Sequence, residues 1–335
     1  MREYAITIIV PIYQVEKYIG ACLQSIVESA MFEQCEILLV DDGSKDGSAD
    51  IALQYARQYK NCFLIRKENG GAGSARNLGI ERANGKYLYF IDGDDFVSCD
   101  RLKRLWSQAE SGHCDMVLAS YREYVEGKEE TVETNRDYLI TSEPITGRAM
   151  IHLRMDYSDW MNQSFTALCR REMMVSHQIY FPNENVLYED IIWMNQCLLQ
   201  AQRVSYVPDC GYYYRKREGS AVSHLNGINK RDLTDSMKCL TDFKYWYEDA
   251  EIEDKPLIGR LALRMVTMPV EYLACVRKEE RKYYFHKIEE MKWAPVFKKS
   301  ARTKIEYVKA FLYSMGIPVF AVAMKQYKGN RNGTD

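Results

Sequence analysis

Short apolar runs alternating with helical patterns over the first 120 residues constrain this chain more than any other feature. Ile6 to Val10, Glu36 to Val40, Phe63 to Ile65, Tyr87 to Ile91 and Met116 to Ser120 read as strands. Between the first two, Ile19, Cys22, Leu23, Ile26 and Val27 fall on one helical face. Ala49, Ala52, Tyr55, Ala56 and Tyr59 mark a second helix, Ser74 to Ala83 a third, and Asp100 to Glu110 a fourth. Strands separated by helices imply crossover connections and a mainly parallel sheet. Near-continuous apolar strands fit a sheet covered on both faces. The expected fold class is α/β, built on a single Rossmann-like sheet.

The pattern breaks near Tyr121. Residues 121–141 are polar and mixed, which suggests a hairpin. A helical, aromatic-rich stretch follows to about Leu225, and Gly227 to His286 reads as helical throughout. Ala310 to Met324 is an uncharged run interrupted by Gly316 and Pro318, too short and too broken to span a membrane. It fits an interfacial segment with basic flanks; a helix docked on the body with a solvated basic end is the other reading.

Charge supports that division. The whole chain carries -2, which argues against general attraction to nucleic acid. From Lys298 to Asp335, eight Lys or Arg face two acids, so this tail carries +6 and the rest -8. Such asymmetry points to an acidic partner or an anionic membrane surface. The ten cysteines form no C-x-x-C pair and read as buried, reduced thiols, against a zinc site or a disulfide framework. The first apolar run is too short for a signal peptide, so a cytoplasmic protein, possibly peripheral on the inner membrane face, is expected.

In open α/β sheets, ligands bind beyond the carboxyl ends of the strands. Those ends carry Pro11-Ile12-Tyr13, then Asp41-Asp42-Gly43-Ser44, then Glu68-Asn69-Gly70-Gly71-Ala72-Gly73, then Asp92-Gly93-Asp94-Asp95. An aromatic, two acidic turns and a glycine loop side by side suggest a nucleotide site. The segment from Gly71 to Arg76 is a poor dinucleotide fingerprint: Arg76 stands where close packing needs a third glycine, and the loop follows the third strand. A glycine-rich loop at a helix start still suits close approach to a diphosphate, and a plain turn before a helix is the other reading. Crowded carboxylates in Asp92-Gly93-Asp94-Asp95 repel one another unless a cation absorbs the charge. Magnesium or manganese favours such oxygen ligands together with substrate phosphates; a solvated acidic cap of the following helix is the alternative.

As an ordered set, these stretches resemble the nucleotide-binding half of family 2 glycosyltransferases. Ile8 to Tyr13, Val15 to Ile19, Glu36 to Ser48, Glu68 to Gly71, Ser74 to Asn77 and Tyr87 to Asp95 carry the likeness. The resemblance implies the type A glycosyltransferase fold with a mainly helical C-terminal extension. It implies a glycosyltransferase domain over residues 1–225 and a helical region with a basic amphipathic tail over 226–335. Within the first, residues 1–120 would bind the nucleotide-sugar and 121–225 the acceptor. Pro11 and Tyr13 would border the base and Asp42 hydrogen-bond it. Gly71 and Arg76 would line the nucleotide. Asp92 corresponds to the first acid of the DXD motif, near ribose and metal, and Asp94 to the direct ligand of Mn2+ or Mg2+, with Asp95 secondary.

Leu187 to Trp193 resembles the segment bearing the family's Glu-Asp motif, which makes Asp190 the general base. An acidic helix start is also ordinary, because the helix dipole favours negative charge there. Tyr212 to Ser220 resembles the family's tyrosine strand and arginine loop, with Arg217 in the loop. The tyrosines could equally pack a strand on the core, His224 could assist the metal or be a surface histidine with no role, and Trp160 could stack on a sugar ring or belong to the core.

Implied is inverting transfer from a nucleotide-sugar, with UDP favoured, to a glycan or lipid-linked acceptor in cell-surface polysaccharide synthesis. An inactive nucleotide-binding scaffold of a polysaccharide assembly complex is the alternative. A nucleotidyltransferase would carry a basic glycine loop after the first strand, where Pro11-Ile12-Tyr13-Gln14 stands instead.

Overall fold

The computed structural model describes residues 4–126, 132–134, 136–159, 162–182, 187–209, 211–216 and 229–331. Trp160, Cys210, Arg217 and His224 lie outside them. Two compact units are present, Met1–Asn185 with Glu189–Ser223, and Val186–Tyr188 with His224–Asp335.

The first unit opens with β1 (Ile6–Ile12), α1 (Glu16–Val27), β2 (Cys35–Asp41), α2 (Ser48–Gln58), β3 (Cys62–Arg66), α3 (Ala72–Arg82), β4 (Tyr87–Phe90), β5 (Phe96–Val97), α4 (Arg101–Ser111) and β6 (Met116–Ala119). All but the two-residue β5, which the sequence does not mark, follow the sequence periodicity closely. β1 and β2 are buried nearly throughout, as expected for strands covered on both faces. Gly79 lets α3 lie directly on β1, because a Cβ there would sit 2.4 Å from Ile9 Cγ2. Thr7, Glu36, Asn84 and Gly85 satisfy one another at the opposite end of the sheet.

Next come β7 (Arg122–Val125), β8 (Val132–Glu133), α5 (Gly147–Asp156), β9 (Ala167–Arg170), α6 (Arg171–Ser176), α7 (Glu189–Gln200), β10 (Val204–Val207) and β11 (Tyr212–Lys216). β7 and β8 pair antiparallel, Arg122 opposite Glu133, within the stretch expected as a hairpin. The helical reading up to Leu225 needs correction at β9 and β10, which interrupt it, while β11 stands where the resemblance implied a tyrosine strand. β9 and β10 are only four residues long and stand beside a helix or a turn, so the aromatic pattern masks them.

The main sheet has seven strands in the order β10-β6-β9-β4-β1-β2-β3. β1 pairs parallel with β2 and β4, β2 with β3, and β10 with β6. β9 is inserted antiparallel between β4 and β6. A second sheet runs β5-β11-β7-β8. Buried Arg101 ties β4 to the segments after β6 and β10, donating to Tyr89 Oη, to the Ser120 carbonyl and to Asp209.

In the second unit the described residues from 229 onward form only helices: α8 (Lys230–Asp249), α9 (Lys255–Met265), α10 (Thr267–Tyr272), α11 (Lys278–Glu290), α12 (Ala294–Ser300), α13 (Lys304–Ser314) and α14 (Ile317–Arg331), with one short 3-10 turn. Asn229 and Asp232 form a capping box on α8, and Thr303 and Glu306 another on α13. Glu306 also takes a bidentate contact from buried Arg260. The uncharged tail run is two helices broken at Gly316, whose φ of +110° only glycine adopts readily. Among the described residues no helix is long and apolar enough to cross a membrane. Nor is there a disulfide among the described cysteines, but Cys99 is exposed and Cys275 half-buried, so the expectation of uniformly buried thiols is corrected there.

Candidate active site

Parallel crossovers place the ends of β1, β2, β3 and β4 on one side of the sheet. β1 ends with Pro11, half-buried, and Ile12, and beyond it stands Tyr13, 45% exposed. After β2 the chain turns at Gly43 with φ +76°, where a Cβ would lie 3.2 Å from the Asn69 amide nitrogen. The loop after β3 is wound around Asp42. Lys67 Nζ donates to Asp42 Oδ1 at 2.6 Å, Gly70 N to Oδ1 at 3.0 Å, and Gly71 N to Oδ2 at 2.8 Å. Asn69 Nδ2 adds a bond to the Asp42 carbonyl. Asp42 is 2% exposed, so both its oxygens serve the loop. Gly71, at φ +88°, starts α3 with no side-chain cap.

The turn after β4 is built differently. Asp95 N donates to the Asp92 carbonyl, which closes the turn. Asp95 lies beneath it, accepting from Tyr212 Oη at 2.6 Å and from Arg215 N at 2.8 Å. Burial, then the Asp94 and Asp92 charges, push its carboxyl well above the usual range. Tyr212 Oη also accepts from Asp92 N, so the first residue of β11 underpins the turn. Arg215 Nε holds the Asp94 carbonyl, and its guanidinium packs over the rings of Tyr18, Phe96 and Tyr124 at 5.1 to 5.3 Å. Asp92 and Asp94 are both partly exposed above this support.

Arg76, expected to line the nucleotide, stands at the centre of the acids. Its Nη2 donates to Asp92 Oδ1 at 2.8 Å, and its Nη1 reaches Glu189 Oε1 at 2.7 Å and Asp190 Oδ1 at 3.5 Å. The guanidinium is 4% exposed and lies over the Phe181 ring at 5.2 Å. Asp190 Oδ2 accepts from Ser164 N at 3.1 Å. Burial pushes the Asp190 carboxyl up, Arg76 pulls it down, and the Glu189 and Asp92 charges push again, leaving it at about 7.

Several supports of this arrangement escape sequence reading. Phe181 stacks on Trp193 at 4.8 Å, and Phe90 meets both rings edge-on. Asn77 clamps the Phe181 backbone through both its N–H and its carbonyl. Thus α3 and α7 are fixed against the same aromatic cluster. A Cβ on Gly73 would come within 3.2 Å of Pro182 O and Phe181 Cβ, so that glycine permits the approach. Ser164 and Phe181 carry no recognisable signal, since each acts through backbone or shape. Among the described residues no three His, Cys, Asp or Glu side chains converge to hold an ion.

So Asp92, Arg76 and Asp190 come together, joined by Glu189. Asp42 and Gly71 are coupled to each other in the neighbouring loop. Pro11 and Tyr13 sit at the end of β1, and Asp94 on the β4 turn.

Comparison with known proteins adds family and fold. The family described as "Glycosyl transferase family 2" matches residues 7–176. A cholesterol galactosyltransferase of Borreliella burgdorferi is 28% identical over 244 residues, covering 70% of this chain and 66% of the relative. Glycosyltransferase GlyG of Streptococcus pneumoniae is 30% identical over 223 residues, covering 65% of this chain and 72% of its own length. The chain spans less than two thirds of the first relatives it matches: 66%, 64% and 62% of their lengths. Among solved structures, S. aureus TarS 1-349 in complex with UDP-GlcNAc superposes with a TM-score of 0.73 at 20% identity, over 97% of this chain and 92% of that one. The shared fold is a mixed α/β domain on a parallel-rich sheet, followed by a helical region.

Proposed function

The chain belongs to glycosyl transferase family 2, and from that premise we propose that it moves a sugar from a nucleotide-sugar, a UDP-sugar first, to a hydroxyl of a glycan or lipid-linked acceptor. The carrying observation is that Arg76 gathers Asp92 of the β4 turn and the Glu189-Asp190 pair of α7 around one buried guanidinium. The turn expected to meet the donor and the residue expected to activate the acceptor are thereby held in one constellation. The UDP-GlcNAc bound by TarS and the glycan-building relatives favour a UDP donor and a role in cell-surface polysaccharide assembly.

Residues 1–120 would hold the donor and 121–225 the acceptor, with the helical remainder, 226–335, as an accessory region. Tyr13, exposed at the end of β1, suits stacking on the base beside Pro11. Asp42 keeps Gly70 and Gly71 in a fixed loop at that border. Asp92 and Asp94 provide hard oxygen ligands, too few to hold an ion alone but sufficient when a diphosphate supplies the rest. They fit Mn2+ or Mg2+ on those terms, and such an ion would neutralise charge developing on the leaving diphosphate.

In the reaction, the acceptor oxygen bonds to the anomeric carbon as the bond to the β-phosphate oxygen breaks. The hydroxyl proton passes to Asp190, and attack from the opposite face inverts the configuration. A carboxyl near 7 is a far better base at neutral pH than one near 4. Ser164 N and Arg76 orient its two oxygens, one toward each partner. We further propose contact between the basic C-terminal region and a membrane surface, where lipid-linked acceptors reside.

Incubation with a panel of UDP-sugars and manganese, with released UDP and product measured, tests the assignment. Release of UDP into a product by wild type but not by Asp190→Asn is expected. Donor binding without turnover of any sugar, with or without acceptor glycans, would favour the scaffold alternative and end the transferase reading.

A further inference from the structure

Sixteen large apolar side chains are exposed among the described residues, and seven of them lie between Ile305 and Val322. That density singles out α13 and α14. On α13, Ala310 and Tyr313 are buried together with half-buried Glu306, which pairs with Arg260. Ile305, Val308, Phe311 and Met315, spaced three or four residues apart, lie on the opposite side, and each is half or more exposed. A helix apolar on both faces is ordinarily a covered helix. α14 repeats the arrangement: Ile317, Phe320 and Met324 turn inward, while Val319 and Val322 turn outward.

The stretch that carries this face is basic. Lys298, Lys299, Arg302, Lys304 and Lys325, on or next to these helices in sequence, are exposed, and Lys309 is half-buried. From 298 to 325 the one acid is Glu306, committed to Arg260 and to the Arg302 and Thr303 amides. A second copy of the same face would bring like charges together, which disfavours self-association. Spanning is ruled out for these helices by their length and composition. An interfacial site with apolar residues toward the acyl boundary and lysines toward acidic headgroups satisfies both features at once.

We propose that the outward faces of α13 and α14 dock on a bilayer surface rich in anionic lipid, with Phe311 and Met315 as the main apolar contacts. The idea rests on the reading above that the acceptor is met at a membrane, and it names the surface that meets it. Binding should weaken as salt rises, because exposed charges more than about 8 Å apart are screened at physiological ionic strength. Each basic side chain near such a surface should strengthen partitioning roughly fivefold.

Flotation of the full chain with phosphatidylcholine vesicles, alone or mixed with phosphatidylglycerol, decides it, alongside sedimentation for oligomeric state. Expected are recovery with the anionic vesicles only, loss at high salt, and a tenfold or greater drop in the Phe311→Glu, Met315→Glu double variant. Lys298→Ala with Lys299→Ala should weaken binding by a similar factor, with unchanged thermal melting. No flotation, equal flotation on neutral vesicles, undiminished binding by the double variant, or a dimer that the double variant dissolves would each overturn the proposal. Vesicle binding needs no donor, so its failure leaves the transferase reading standing. Loss of UDP-sugar turnover with intact flotation would have the reverse meaning.

Discussion

The acidic turn after β2 closes on the loop after the next strand, whereas the one after β4 reaches, through Arg76, a helix that begins about a hundred residues later. Asp42 spends both oxygens on Lys67, Gly70 and Gly71. Asp92 shares Arg76 with Glu189 and Asp190. Two carboxylate-rich strand ends thus do different work. One is spent on backbone geometry, and its removal should be felt mainly as loss of fold. The other is suspended over a buried aspartate, Asp95, and its connections run to the groups proposed to react. Ligand-facing chemistry is marked by partners that are distant in sequence, more than by the number of acids.

The sharpest test of that contrast is Asp190→Asn, expected to cut turnover by about 10²- to 10⁴-fold while donor affinity stays near wild type and melting temperature does not fall. Product assays, calorimetry and thermal melting measure the three. A variant with normal turnover would strip the β4 side of its proposed base. Next, Asp94→Ala should reduce donor affinity in the presence of manganese by roughly tenfold or more and leave metal-free affinity little changed. Titration calorimetry with and without the ion reads this directly, and equal losses in both conditions would contradict it.

Asp42→Ala should act in the other currency. Three donors would lose a buried carboxylate, at a cost of roughly 1.5–3 kcal/mol for charged hydrogen bonds. Melting should fall by several degrees, with weakened donor binding as a consequence of the disordered loop. Unchanged melting would mean that Asp42 is not the organiser. The pH profile sharpens the Asp190 side. Because burial raises this carboxyl to about 7, the base form is lost as pH falls through 7. The kcat/KM value should drop about tenfold per pH unit below that point, and a profile flat down to pH 5 would remove the assignment. Asp190 ionisation in the fold is correspondingly unfavourable, so this group takes stability away as pH rises from about 4 to about 7, above which its contribution is constant. Smallest of all, Gly73→Ala should cost about 1 kcal/mol, since its Cβ would press on Pro182 O and Phe181 Cβ at 3.1 and 3.2 Å. Chemical denaturation measures it.

Much of the fold was legible because β1 to β4, β6 and the first four helices carry strong periodicity, and Gly227 to His286 reads as helical throughout. β9 and β10 were not. Four-residue strands of mixed composition are too short to show a period of two, and β9 owes its place to neighbours on either side. At the site, acids were readable as a pattern, but not the set of carboxylates that surrounds Arg76. Its sequence context, a glycine loop opening a helix, suggests phosphate contact, and only the approach of α7 reveals the carboxylates it neutralises. Ser164 donates through its backbone nitrogen, which any residue other than proline would supply. Phe181 acts as a surface under the guanidinium, and aromatic residues are too common in this chain for one to stand out.

β9 also bears on how the protein is made. Strands β1 to β4 can assemble from chain that leaves the ribosome in one continuous stretch. β6, finished at Ala119, has no seat beside them until Ala167–Arg170 arrives about fifty residues later. At about 5–20 residues per second, that leaves an unpaired apolar strand waiting for several seconds. Stalled nascent chains ending before and after Arg170 should therefore differ abruptly in protease resistance, and a gradual gain instead would show that β6 finds shelter without its late neighbour.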